Sequence, residues 1–354
     1  MSASILSIHF AKIFFPAALA FIFGILATPG FTHFFYKYKM WKKVSRISGD
    51  KSDDFKQVHN ETEELRTPRV GGMIIWTSVI FITGIFALAS DFFPSSFAEK
   101  MSFLSRNQTL LPFGTLIAGA AIGLFDDFMQ IFSTGEYSND AVENRYIKIG
   151  VLVALGAAVG FWFFSKLDVH SIHIPFVGPL ELGILFVPFF VIIMLAVFST
   201  SVIDGIDGLS GGVLSSIFAS YSLIALSRDQ IDLAAFCAVI TGAILAFLWF
   251  NIPPARFYMG ETGMLSLTLT LSTIAVLTDT ILLLPIIAFP LVMTSLSVIV
   301  QMTSKRFFGK KVFRVAPIHH HFEAIGWPPY KVVMRFWVLS AMCAIIGSLV
   351  AIVS

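Results

Sequence analysis

Ten stretches of this chain are apolar over close to the length of a bilayer crossing, and this constrains its fold more than any other feature. They run near 13–36, 70–90, 109–125, 149–165, 183–202, 211–227, 231–250, 263–278, 281–303 and 333–353. A spanning helix needs about 20 mostly apolar residues, and only a helix or a closed barrel can bond all its backbone groups in lipid. A barrel would alternate in runs of about ten, which these stretches do not. Composition agrees, with 56% hydrophobic residues and 13% charged ones, about half the charge of a soluble domain. The expectation is an all-α polytopic integral membrane protein of about ten transmembrane helices, folded as a single domain over 1–354. The first run is too long for a signal-peptide core and lacks a small-residue cleavage site, so it is kept as a helix. Cys237 and Cys343 lie inside apolar runs, where thiols pack as small hydrophobes.

Orientation follows from the cations between the runs. The odd-numbered loops hold 19 Lys and Arg, nine of them in 37–69, and the opposite side holds five: Lys12, Lys100, Arg106, Lys166 and Arg228. The odd loops are therefore placed in the cytoplasm and both termini outside. On the outer side, alternating apolar residues between Lys166 and Leu182 predict a small hairpin.

Four polar clusters fall on those cytoplasmic loops: Gly123–Asp127, Asp204–Gly212, Met259–Gly263 and Pro317–Glu323. Each alone has a plain reading, as a solvated helix end, a turn or a solvated histidine run. Together on one face they read as a single active site. Asp126, Asp127, Asp204, Asp207 and Glu261 beside His319, His320 and His321 suit a hard divalent cation. Mg²⁺ takes one or two carboxylates and completes its shell with phosphate oxygens and water. Closely spaced carboxylates also shift each other's proton affinity, which suits one of them as a base. The combination reads as phosphoryl transfer at a membrane surface, from a nucleotide-linked donor to a lipid acceptor.

The segment Pro317-Ile-His-His-His-Phe-Glu323, followed by Gly326-Trp327 and Lys331-Val-Val-Met-Arg-Phe-Trp337, resembles the phospho-N-acetylmuramoyl-pentapeptide transferases. These belong to the polyprenyl-phosphate N-acetylhexosamine-1-phosphate transferase superfamily. Asp126-Asp127 resembles the family's double aspartate, and Asp204-Gly-Ile-Asp-Gly208 its second motif. Phe250-Asn251, Pro254-Ala255 and Tyr258–Gly263 resemble its third. His59, Thr67-Pro68 and Gly71-Gly72 resemble its N-terminal signature. The likeness runs from about residue 59 to 340 in one order.

The resemblance implies a bacterial cytoplasmic-membrane enzyme that moves phospho-MurNAc-pentapeptide from UDP-MurNAc-pentapeptide to undecaprenyl phosphate, giving lipid I and UMP. It implies Mg²⁺, a possible homodimer and no nucleic acid. By motif, Asp126 or Asp127 would act on the acceptor phosphate as base or as nucleophile. Glu261, with Asp204 and Asp127, would hold the metal. Asp204 and Asp207 would contact nucleotide or metal, Asn251 and Tyr258 would hold and stack uridine, and His319, His320 and His321 would orient phosphate or sugar.

Four departures stand out. Glu261 replaces the family's usual Asp. Phe198 and Ser201 occupy positions of two Asn ahead of the second motif, and Ser201 would leave room for the longer Glu261. Arg145 or Lys148 stands in for the polar residue that usually follows the double aspartate. Glu64-Leu65-Arg66 replaces a Lys-x-Gly, which makes Arg66 a candidate contact for substrate. Rival readings are a sister transferase using UDP-GlcNAc or another UDP-sugar, a lipid transporter, and a non-catalytic relative. A transporter would place ionisable residues within its spans, and the central stretches here carry none. The bend expected from Pro285 and Pro290, taken with the resemblance, predicts a lipid-sized groove at the ninth span.

Overall fold

The computed structural model describes residues 3–42, 65–92, 96–132 and 142–354. His59, Glu64 and the loop cations Lys43, Arg46, Lys51 and Lys56 lie outside the described residues. The elements in order are α1 (Ala3–Lys37), α2 (Gly72–Phe92), α3 (Ser96–Met101), α4 (Leu110–Phe132), α5 (Val142–Lys166), β1 (Ser171–Ile174), β2 (Gly178–Glu181) and α6 (Phe186–Ser199). Then follow α7 (Leu209–Ser227), α8 (Ile231–Asn251), α9 (Gly260–Leu277), α10 (Leu284–Ile287), α11 (Phe289–Phe308), α12 (Ile318–Ala324) and α13 (Pro329–Val353). Among the described residues nine helices are long and apolar enough to span a membrane. The chain is a polytopic membrane protein.

The ninth expected span, 281–303, is not one apolar helix. It divides at Ala288 into α10 and α11, beside Pro285 and Pro290, and α11 continues to a basic end at Lys305 and Arg306. It still returns the chain across the bundle. α9 runs away from the end that holds the polar clusters, whereas α12 and α13 begin at that end. The expected hairpin is present. β1 and β2 pair antiparallel, Ser171 opposite Glu181 and Ile174 opposite Gly178. The Leu182 and Gly183 N–H groups donate to the His170 carbonyl and tie its base to the end of α5.

α9 is the hub, with 89% of its spanning window buried against 22% for α1. Its Ser and Thr side chains bond back to their own helix. Examples are Thr268 to the Met264 carbonyl at 2.7 Å and Thr270 to the Ser266 carbonyl at 2.6 Å. This satisfies polar groups that lipid cannot. Across the interface, Thr273 meets Thr115 of α4 at 3.0 Å. Small residues let the backbones touch. A Cβ placed on Gly119 would lie 2.7 Å from the Leu265 carbonyl oxygen, and one on Gly123 would lie 2.3 Å from that of Glu261. Gly72 of α2 meets Gly263 in the same way. These approaches press α4 and α2 onto the first turns of α9, which sets the site's geometry. At the end of the bundle away from the polar clusters, α1 is pinned to α8 by the Lys12–Asp232 ion pair at 2.5 Å.

Candidate active site

The four polar clusters converge at one end of the bundle. α4 ends in Asp126 and Asp127, and α9 begins directly against it. Asp127 is 1% exposed. Its Oδ1 accepts the Glu261 N–H at 3.1 Å and its Oδ2 the Thr262 N–H at 2.9 Å. A carboxylate at a helix N-terminus is stabilised by free amides and by the helix dipole. Asp127 therefore caps α9 from another helix. Arg69 lies close enough to act on Asp127 electrostatically. It is brought there by backbone pairing, with Tyr258 N–H to Pro68 O at 2.8 Å and Gly71 N–H to Tyr258 O at 2.9 Å. Gly260 has φ +71°, and a Cβ there would lie 1.7 Å from the Arg69 carbonyl oxygen, so no larger residue fits that approach.

Asp126 is placed differently. Its Oδ2 accepts Lys148 Nζ at 3.1 Å and Gln130 Nε2 at 2.9 Å. The same ammonium donates to Glu261 Oε2 at 2.9 Å. Both carboxylates stay partly open, at 25% and 27% side-chain exposure. Lys148 also lies 5.3 Å from the Phe198 ring centroid. Asp126, Lys148 and Glu261 thus come from three helices to one point.

The Asp204–Gly208 loop is cross-tied to the start of α9 and the end of α8. Asp204 accepts the Ser210 hydroxyl at 2.7 Å and the Gly260 N–H at 3.3 Å. Asp207 accepts the Ala255 N–H at 3.0 Å. Asn251, 2% exposed, accepts the Gly208 N–H at 2.9 Å and donates to the Phe257 carbonyl at 2.9 Å. Its amide joins the second motif to the third, and Ile252-Pro253-Pro254 end α8 just after it. Tyr258 is half-buried beside this junction.

The histidine helix α12 closes the site. His320 and Glu323 form a 2.6 Å hydrogen bond between Nδ1 and Oε2, and both are nearly buried. The other ring nitrogen faces Gly205, where a Cβ would lie 2.7 Å from it. His319 is buried beside the same glycine. His321 turns outward, and its Nδ1 accepts the Arg314 N–H at 3.2 Å. Burial, then the Arg314 charge, hold its imidazole below the ordinary range. Trp337 of α13 donates to the Gly208 carbonyl at 3.0 Å.

Several placements differ from the sequence reading. Arg66 and Arg145 are exposed and, among the described residues, form no hydrogen bond or ion pair with the cluster; Lys148 bridges Asp126 and Glu261. Ser201 does not meet Glu261, because its hydroxyl turns back to the Phe198 carbonyl at 2.7 Å. Of the three metal candidates, Asp127 has both oxygens on backbone amides, and so does one oxygen of Asp204. Glu261 keeps an open carboxylate, and Asp126 joins it. Among the described residues no group of three or more potential ligands is arranged around one point. Arg69, in sequence only one of the loop cations, and Glu323, only the end of the histidine segment, gain a place in the site from the fold. Arg69 had no local signal, since only long-range pairing places it. Glu323 stands three residues after His320, a helical spacing that does bring side chains together.

Beside the loop lies an apolar groove of about 230 Å³, lined by Ile193, Val197, Leu271, Leu284, Leu296 and Ile299 among others. It opens at the break between α10 and α11. Its polar end is Ser199 and Thr200, just ahead of Asp204.

The profile of Glycosyl transferase family 4 matches residues 109–279, the segment that carries three of the four polar clusters. A phospho-N-acetylmuramoyl-pentapeptide-transferase of Geobacillus sp. (strain WCH70) is 34% identical over 334 residues, which is 93% of this chain and 94% of the relative. Relatives of the same name from Anoxybacillus flavithermus (strain DSM 21510 / WK1) and Chloroflexus aggregans (strain MD-66 / DSM 9485) are 34% and 31% identical, each over 95% of this chain and 96% and 89% of their own length. With the site built by the matched segment and the likeness running nearly end to end, the chain belongs to glycosyl transferase family 4.

Proposed function

We propose that this protein transfers phospho-MurNAc-pentapeptide from UDP-MurNAc-pentapeptide to undecaprenyl phosphate, releasing UMP and forming lipid I on the cytoplasmic face of a bacterial membrane. The observation that carries the reading is the meeting of Asp126, Lys148 and Glu261, with Lys148 beside Phe198, the neighbour of Ser199 and Thr200 that line the apolar groove. Phosphoryl transfer needs charge neutralisation and alignment more than covalent chemistry. The groove is suited to a polyprenyl tail and would deliver its phosphate toward the loop. Asp126, open and hydrogen-bonded only by side chains, serves as the base that takes the acceptor's proton. The freed phosphate oxygen forms a bond to the sugar-bearing phosphorus as the bond to the UMP oxygen breaks, and UMP leaves with the electron pair. Lys148 neutralises phosphate charge in this step. Asp127 holds the first turn of α9 in place, and with it Glu261.

The open carboxylate of Glu261 fits the one or two ligands that Mg²⁺ takes from protein. Bound there, Mg²⁺ would supply charge neutralisation on the diphosphate. The histidine helix against Gly205 and the names of the relatives support the muramoyl-pentapeptide donor. The test is transfer of labelled sugar phosphate to undecaprenyl phosphate from UDP-MurNAc-pentapeptide and from UDP-GlcNAc, with and without Mg²⁺. Mg²⁺-dependent transfer from the first donor alone is expected. Transfer from UDP-GlcNAc alone would assign the chain to a sister enzyme, and transfer from neither would remove the catalytic reading.

A further inference from the structure

The cytoplasmic end of α11 carries a feature that the transfer reaction does not use. Lys305, Arg306, Lys310 and Lys311 sit within seven residues, all exposed. No Asp or Glu occurs between Asp279 and Glu323, and among the described residues none of the four forms an ion pair. Phe307 and Phe308 stand between the two cationic pairs, each 73% exposed, with Val312 at 54%.

The segment has a built shape. α11 ends at Gly309 with φ +65°, a left-handed cap that suits glycine. The chain then folds back on itself. Gln301, 5% exposed, accepts the Val312 and Phe313 N–H groups at 2.9 and 3.0 Å and donates to the Phe313 carbonyl at 2.9 Å. Ser304 closes the turn on the Lys310 carbonyl at 2.9 Å. The result is a fixed knuckle with cations and bare aromatic rings side by side. It continues the helix whose earlier turns, Leu291 to Ile299, line the apolar groove.

We propose that this knuckle docks on anionic phospholipid headgroups of the cytoplasmic leaflet. The cations meet lipid phosphates while Phe307, Phe308 and Val312 enter the boundary between headgroups and acyl chains. Basic clusters just cytoplasmic of a span are drawn to anionic lipid, and aromatic rings favour the same depth. Docking pins the free end of α11, and so the outer wall of the groove, to the membrane surface. The inference needs only the orientation of α11, not the transfer reaction.

The test is lipid selectivity of the full-length protein in phosphatidylcholine vesicles, read by the motionally restricted fraction of spin-labelled phosphatidylglycerol against spin-labelled phosphatidylcholine. The wild type should prefer phosphatidylglycerol. The variant K305Q/R306Q/K310Q/K311Q should lower that preference by about twofold or more, whereas K305R/K310R/K311R should keep it. Should the glutamine variant fail to reconstitute, the half variants K305Q/R306Q and K310Q/K311Q take its place and should each lower the preference, and raising salt to about 0.5 M should collapse the wild-type preference, as exposed charge requires. No preference in the wild type, a preference that survives salt, or one retained by the glutamine variant would each overturn the proposal. A glutamine variant with unchanged selectivity and a raised KM for the soluble donor would assign the cations to the nucleotide instead.

Discussion

Both oxygens of Asp127 hold backbone amides, whereas Asp126 holds only the side chains of Lys148 and Gln130. The two neighbours should therefore respond differently to the same change. Asp126→Asn should reduce turnover on the order of 10²–10⁴-fold and leave the melting temperature near wild type. Asp127→Asn turns an amide N–H₂ toward a backbone N–H and should destabilise the fold by about 1–3 kcal/mol as well as lowering turnover. Thermal melts beside turnover assays separate the two, and equal melting temperatures would remove the capping role of Asp127. Glu261 makes a further case. Its longer arm reaches Lys148 at 2.9 Å, so Glu261→Asp should lose that contact and slow transfer. The loss should be non-additive with Lys148→Gln and additive with Ser201→Asn, since only the first pair shares a contact. His321 gives a pH dependence. Its folded-state pKa lies below the ordinary value, so the neutral ring is favoured in the fold. The stability it contributes is present above the ordinary histidine pKa and is lost as pH falls through the depressed one. Imidazole NMR shifts should show His321 less than half protonated at the pH where an unfolded histidine is half protonated.

Helix existence was legible from the apolar runs, and the hairpin from alternation between Lys166 and Leu182. The division of the ninth span was legible from Pro285 and Pro290, which remove backbone donors and stop the helix running straight. The closeness of the helices was not. Nothing local marks Gly119 and Gly123 as contact residues, because their meaning lies in the Leu265 and Glu261 carbonyls opposite. The placing of Arg69 escaped for the same reason. Carboxylates could be identified as chemically able, but which oxygens stay open depends on amides donated from elsewhere in the chain. Gly123→Ala tests this element-level account. The added methyl meets backbone rather than a mobile side chain, so α4 must move away from α9. Overpacking of this kind costs typically about 1–3 kcal/mol, and the shift should part Asp126 from Glu261. A lower melting temperature with turnover reduced at least as strongly as in Glu261→Asp is expected. Wild-type turnover would show that the α4–α9 approach does not set the site.

At the scale of the whole molecule, orientation in the membrane rests on the distribution of Lys and Arg, and the fold adds that all four polar clusters share one end. α5 offers a direct test because the chain enters it at one face and leaves it into the hairpin at the other. Arg145 is exposed near its start, and Val177 is 80% exposed at the hairpin tip. Ser210, although it lies in the site loop, is a poor probe, being buried with its hydroxyl on Asp204. The native thiols must first be removed. Cys237 is buried within α8, and Cys343 is partly open within α13, so Cys237→Ala with Cys343→Ala gives a silent background that preserves the packing of small apolar groups. In that background Arg145→Cys should react with a membrane-impermeant maleimide only after the cells are opened, and Val177→Cys should react in intact cells. The expectation follows from the charge rule, since the odd loops hold 19 cations and the even side five, an imbalance set by the cost of moving Lys and Arg across the bilayer. Labelling of Arg145→Cys in intact cells would place the site outside and, with it, sever the protein from any soluble nucleotide-linked donor. Labelling of neither variant in intact cells would instead mean that the hairpin tip lies within the lipid boundary, where an impermeant reagent does not reach.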